Sequence, residues 1–454
     1  MEEVIGVSPS GCLGVGFNED SFRRAMEQNP HFIGQDAGTS DFGAAYLGSG
    51  NFFMPVSSYK YDLKITLDAA RQHRIPLMVG SCFGAGSRTQ LEIAVETLRE
   101  CAHEGGHSFK LAVIDAEIDK ARIKQSLAEG KLQSIGPDGD LAPADIDRCS
   151  HVVAQMGTEP FVRALEAGAD VVIAGRACDD VIFAAYPVMK GFDKGLALHM
   201  GKVLECAGLS AVPYDLGEPM IGRIRKDHFI VEPANPESHC TAVSVAAHSL
   251  YERTDPCIQP GPGGINDLTN ARFERDGARA VKVSGSTFIP DSVYKIKLEG
   301  SEMIGYRSLC IFGIRDAVMI SQLDHVIAEV RRLTDQRFGT PEEAGYFADI
   351  HIYGRDGVMR GLEPLKDVKP HEVGLLVDVV GKTQDQANAI AMYVRGKIGH
   401  ASYPGILTTA GNVAYPFSPF NVPVGPAYRF SIYHLMPVED PCACFPMTLH
   451  DIRN

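Results

Sequence analysis

The sequence predicts an α/β amino-terminal domain with a mainly parallel sheet, residues 1–230, followed by a smaller α+β domain, residues 231–454. Three observations carry this reading. Short apolar, β-branched runs alternate with helix-periodic stretches over about the first 180 residues, the pattern of a parallel sheet covered on both faces. Each run empties into a loop rich in glycine and in acidic or hydroxyl side chains. From Ala280 onward polar and apolar residues alternate one by one, as in half-exposed antiparallel strands.

The stretch from Gly157 to Asp180, GTEPFVRALEAGADVVIAGRACDD, shows the repeating unit most clearly. Pro160 suits the first turn of a helix, Phe161, Leu165 and Ala169 keep helical spacing, and Gly168 ends it. Asp170 to Gly175 then reads as a strand buried on both faces, followed at once by Arg176, Cys178, Asp179 and Asp180. Ligands of α/β folds bind beyond the carboxyl ends of strands, so charge placed there marks a site. The same acids could equally cap the next helix and pair with Arg176.

Equivalent strands are expected at residues 4–8, 31–35, 75–79, 110–114 and 151–155, with helices between them and a turn-rich connection over 135–143. Their exits gather Asp36, Ser40 and Asp41; Ser81, Gly84, Gly86 and Arg88; and Asp115, Glu117 and Asp119. From 191 to 236 helix and loop alternate, and the domain boundary falls near Ile230. A helix over 240–252 precedes the turn Pro260 to Gly264, which can be neither helix nor central strand. Strands near 308–312, 347–353 and 373–379, with helices over 317–338 and 384–399, give a sheet with helices on one face. Residues 404–441, rich in proline, glycine and aromatics, read as irregular.

Composition narrows the function. The net charge of −14 and pI near 5.5, without any basic run, oppose nucleic-acid binding. No apolar run spans a bilayer and the acidic start is the wrong flank for a signal peptide, so the expectation is a cytoplasmic protein without a membrane partner. The eleven cysteines are scattered and form no CxxC. There is no G-x-S-x-G or Walker sequence, which removes serine-hydrolase and nucleotide-hydrolase readings.

Several phrases taken together are distinctive: GQDAGTSDFG, GTEPFVRALEAGADVVIAGRACD, HSLYERTDP, QPGPGGINDL with VKVSGSTF, KIKLEGSEMIGYRS and GIRDAVMI. Across nearly the whole chain these resemble the acyclic terpene utilisation family. The resemblance implies a bacterial or fungal cytoplasmic protein in the catabolism of branched acyl-CoA thioesters or small carboxylic acids. It also implies, for some relatives, a small partner protein. The longest terpene-pathway members carry a further carboxyl-terminal extension, so the expectation for this chain is the general substrate class. The family resemblance transfers no catalytic residue.

Adding water to a β-hydroxy carboxylate or thioester, or cleaving one, needs a base, an acid for the hydroxyl and donors for the developing enolate oxygen. The carboxylates Asp36, Asp41, Glu117 and Asp179 are the acid and base candidates, and His400, in GKIGHASYPG, is another. Arg88 and Arg176 are candidate carboxylate binders, Arg176 foremost, with backbone N–H groups at Gly84, Gly86, Gly263 and Gly264 as donors. Asp115, Glu117 and Asp119 could hold a divalent ion such as Mg²⁺. CoA would enter only as part of a substrate. A cleft at the strand exits is expected to be roofed by Pro260 to Gly264 or by the aromatic stretch Tyr415 to Phe420. The reading is a hydro-lyase or carbon–carbon lyase, homo-oligomeric, acting on a small carboxylate or acyl-CoA. Its alternative is a non-catalytic binding or scaffolding subunit whose partner carries the chemistry.

Overall fold

A computed structural model describes residues 2–136 and 140–454; Met1 and residues 137–139 of the expected turn-rich connection lie outside it. Two compact units emerge, one of residues 1–302 with 430–454 and one of residues 303–429.

In the larger unit the strands β1 (Val4–Ser8), β2 (Phe32–Asp36), β3 (Leu77–Gly80), β4 (Phe109–Ile114), β5 (Cys149–Gln155) and β6 (Val171–Ala174) alternate with helices. The main helices are α1 (Glu19–Met26), α2 (Val56–His73), α3 (Arg88–Gly105), α4 (Lys120–Ala128) and α5 (Thr158–Glu166). After β6 come α6 (Val181–Met189) and α7 (Lys194–Leu204), then strands β7 (Met220–Ile224) and β8 (His228–Pro233) and helix α8 (Ala242–Leu250). Five further strands follow: β9 (Ile258–Gly261), β10 (Gly264–Asp267), β11 (Arg272–Asp276), β12 (Ala280–Ser284) and β13 (Thr287–Pro290).

β1, β2, β3, β6 and β4 lie side by side in that order, all parallel. The antiparallel run β7, β8, β12, β11 extends the β1 edge, and the final strand, β18 (Met447–Ile452), pairs antiparallel with β4 at the other. Successive strand residues serve opposite layers because side chains alternate across a sheet. Val4, Phe32, Met78 and Val172 pack on one side with Phe161, Phe183 and Leu204 of α5, α6 and α7. Ile5, Ile33, Val79 and Ile173 pack on the other with Phe22, Leu63, Leu67 and Leu98 of α1, α2 and α3. Each such fully buried side chain contributes about 1.5–3 kcal/mol, so the strand ends are held by a rigid three-layer core.

The fold is therefore mixed α/β with a mixed sheet including parallel strands, as the alternating runs imply. The domain boundary differs. Ile230 lies inside β8, hydrogen-bonded to β7 on one side and β12 on the other. The first of the half-exposed strands from Ala280, β12, thus extends the first sheet, because Val281 and Val283 complete its core. The hairpin β7–β8 replaces the expected loop within 191–236; its strands are short and its turn, Arg225 to Asp227, is wholly charged, which hides their pattern.

A long strand, β14 (Lys295–Ile314), pairs through residues 297–302 with β5 in the larger unit. In the smaller unit its residues 306–314 pair with β16 (Val373–Gly381), which also pairs with β15 (Phe347–Tyr353). Helices α9 (Leu323–Phe338) and α10 (Gln384–Gly399) cover one face there, with Val330, Ile390 and Val394 packed on Phe312, Leu375 and Val377. The expected irregular stretch 404–441 instead contains a 17-residue strand, β17 (Asn421–Pro437). Its prolines, Pro423 and Pro426, disguise it.

Candidate functional site

Beyond β6 the chain turns sharply and buries Arg176, which is only 2% exposed. Its Nε donates to Glu299 Oε2 at 3.0 Å, and its two amino groups donate to the Ala177 carbonyl, Asp179 Oδ1 and the hydroxyls of Ser81 and Ser40. The guanidinium joins the exits of β2, β3 and β6 to β14. Lys297 Nζ lies 2.6 Å from the other oxygen of Glu299. Burial alone would raise the Glu299 carboxyl, but Arg176 and Lys297 outweigh it and hold it at about 2.

Asp36, at the end of β2, is buried, and its Oδ1 has no hydrogen-bond partner. Burial first, and then the nearby Asp179, push its carboxyl well above the usual range, against the pull of Arg176. Asp179 is also raised by burial, with Arg176 and Lys202 opposing and Asp180 and Asp41 adding to the shift. Deeper in, Lys202 of α7 donates to Glu205 at 2.6 Å. Burial raises Glu205 to about 8 in spite of Lys202, with Asp179 and Asp180 contributing. The strand exits thus hold a buried carboxyl cluster organised by three cations, Arg176, Lys297 and Lys202, the arrangement that drives neighbouring acids to different protonation states.

The glycines here serve packing. A Cβ on Gly38 would lie 2.0 Å from the Gly84 carbonyl, and one on Gly86 would lie 2.3 Å from the Arg176 nitrogen. The exit loops of β2, β3 and β6 therefore touch backbone to backbone, and the Gly86 carbonyl accepts from the Arg176 N–H. Gly84 and Gly86 are covered by protein instead of opening onto a ligand. Gly263, at φ +78°, is left room only for hydrogen by the Tyr294 ring, and Gly264 abuts the Ile289 carbonyl. These two glycines fix the hairpin β9–β10 and its turn.

That turn does overlie a strand exit. A narrow pocket with a cavity of about 20 Å³ is lined by Cys178, Asp180, Lys194, Arg253, Asn266 and the turn residues Pro260 to Pro262, among others. The alternative roof, Tyr415 and Phe420, belongs to the smaller unit, where the two rings lie 4.3 Å apart, tilted by 40°, under Arg395.

The β4 exit forms a second cluster. Arg88 Nε donates to Asp115 Oδ2 at 2.8 Å, its backbone N–H donates to Glu117, and Glu117 also bonds His151 Nδ1 at 2.9 Å. Asp119 caps α4 by accepting from the Ala121 N–H. Asp115 and Glu117 are thus both engaged by Arg88 and Asp119 by its own helix, and among the described residues no group of three or more His, Cys, Asp or Glu side chains is arranged to hold a metal. His400 stands exposed at the carboxyl end of α10, its N–H bonded to the Gly396 carbonyl, in the smaller unit. Asp41 is exposed beside Asp179.

Sequence reasoning missed Glu299, Lys297, Lys202, Glu205 and Arg253. Glu299 follows Lys297 on an alternating strand that reads as half exposed, and nothing local shows that this strand runs into the cluster. Arg253 had a signal: it immediately precedes the irregular run leading to Pro260.

A three-layer α/β protein with a buried acid cluster at its strand exits is a scaffold suited to binding and proton-transfer chemistry on small molecules. The chain belongs to the acyclic terpene utilisation family: the model described as "Acyclic terpene utilisation family protein AtuA" matches residues 58–420. Arg176, Asp179, Asp180, Arg253 and Glu299 lie inside the matched stretch and Asp36 before it. Membership suggests involvement in acyclic terpene utilisation. No curated protein and no solved structure matches the chain. Among the described residues no helix is long and apolar enough to cross a membrane.

Proposed function

We propose that the protein is a catabolic hydro-lyase acting on a branched hydroxy acid or its CoA thioester. The observation that carries this reading is the pair Asp36 and Asp179 beside Arg176. Asp36, the more strongly raised, is the neutral acid; Asp179, bonded directly to Arg176, is the carboxylate. In dehydration Asp179 takes the proton from the carbon next to the carboxyl or thioester carbonyl. Asp36 gives its proton to the departing hydroxyl, which leaves as water. Hydration runs the same steps in reverse. Arg176 fixes the pair and does not grip the substrate, since one N–H of its five is all that the protein leaves unbonded.

The test incubates the protein with 3-hydroxyacyl-CoAs and hydroxy-dicarboxylates in deuterated water and follows product and α-proton exchange. Asp36→Asn should lower dehydration by about 10²–10⁴-fold while exchange persists, whereas Asp179→Asn should lose both. Absence of turnover and exchange across the panel, with the protein alone and with any stably bound native partner, would refute the reading. Activity found only in a heteromeric complex would favour a subunit whose partner shares the chemistry.

A further inference from the structure

The smaller unit contains a hollow remote in sequence from the acid cluster. Between α9, α10 and the edge strand β15 lies a cavity of about 160 Å³. Its floor is aliphatic: Val330, Ile350, Val377 and Val394, all of them buried. Protein cores pack to the density of organic crystals, so a space of this size among buried side chains is exceptional. Its walls are fixed. Tyr346 donates to Asp335 Oδ1 at 3.3 Å or to the Gly339 carbonyl at 3.2 Å, which props the turn after α9 against the end of that helix. At the mouth Asp349 is taken up by Arg360, whose guanidinium donates to both of its oxygens. Arg331 lies 3.8 Å from Asp349, beyond hydrogen-bond range. The mouth therefore offers a guanidinium with donors to spare and, beside it, the Asp335 carboxylate.

We propose that this hollow is a binding site for a small alcohol of five or six carbons, its alkyl part on the aliphatic floor and its hydroxyl between Arg331 and Asp335. The volume sets the size, since an aliphatic cavity of about 150 Å³ holds a molecule as large as benzene. The mouth sets the head group. A hydroxyl both accepts and donates, so it takes a hydrogen bond from Arg331 and gives one to Asp335. A carboxylate has no proton to give and meets the charge of Asp335. The inference stands apart from the hydro-lyase reading, because every residue it uses belongs to the smaller unit, whereas Asp36 and Asp179 belong to the larger.

Binding of 1-pentanol to the protein is measured by calorimetry, with ethanol and pentanoate for comparison. Saturable binding of 1-pentanol is expected, weakened about tenfold or more in ethanol, which lacks three methylenes, and about tenfold or more in pentanoate. Ala348 of β15 lines the hollow, and Ala348→Leu places three further carbons in it. That variant should lose binding while its melting temperature holds or rises, because the new side chain fills existing space. Ala348→Val, which adds two carbons, serves if Ala348→Leu is not folded. Arg331→Ala should weaken 1-pentanol about threefold to tenfold, and Asp335→Asn should narrow the gap to pentanoate. Asp36→Asn should bind like the parent, so this site can hold even where the hydro-lyase reading fails. No saturable binding of 1-pentanol, equal binding by folded Ala348 variants, or pentanoate bound as tightly as 1-pentanol overturns the proposal.

Discussion

Two strand exits of the same sheet, at β6 and at β4, carry similar residues and do different things. Each has an arginine among carboxylates. Arg176 is buried and bonded to five groups, whereas the Arg88 side chain is 55% exposed and has one side-chain partner. Around Arg176 the acids shift in opposite directions, Glu299 down and Asp36 up: both are buried, but two cations keep Glu299 charged, whereas burial and then the neighbouring Asp179 raise Asp36. Around Arg88, Glu117 is lowered: burial opposes the shift, and the hydrogen bond from His151 overcomes it. Removal from water is what separates the two.

The largest break in this comparison should come from Arg176→Ala. It leaves Glu299 with Lys297 alone and takes from Asp179 its direct cationic partner, and loss of one partner of a buried pair costs about 3–5 kcal/mol. Denaturant midpoints would show it; a loss below about 1 kcal/mol would mean the cluster is wetter than described.

The next effect lies in pH. Glu299, held at about 2 in the fold, contributes stability that is fully present above the unfolded value near 4.5 and is lost as pH falls through about 2. Asp36 has the opposite sign. Its raised carboxyl favours folding at low pH, and that contribution fades as pH rises from the ordinary value of 3.8 toward the raised one. Stability curves of Glu299→Gln should therefore lose the acid-side slope, and those of Asp36→Asn the slope above about pH 4. Unchanged slopes in both would remove the electrostatic account. Smallest of all is Arg88→Ala, an exposed pair worth under about 1 kcal/mol in a thermal melt.

The sequence makes the exits legible and the partners invisible. Asp36, Ser40, Ser81, Arg176 and Asp179 follow apolar runs, and their meeting follows from a parallel sheet. Glu299 lies 123 positions from Arg176, on a strand whose alternation says only that one side is wet. The extent of the first unit was hidden for the same reason: antiparallel strands that complete an existing sheet look locally like those that begin a new one. The glycines were visible, but their cause was not, because Gly38 and Gly86 answer to backbone from other loops.

The strand β18 has a further consequence, for the order in which the chain can fold. It seals the outer edge of β4, yet residues 303–429 emerge before it. Throughout that interval the ribbon Phe109 to Ile114 presents unpaired N–H and C=O groups, a template for any other extended segment. Synthesis runs from the amino terminus at about 5–20 residues per second, so this edge stays open for many seconds. The nascent protein is thus most vulnerable to mispairing at a place the finished molecule conceals.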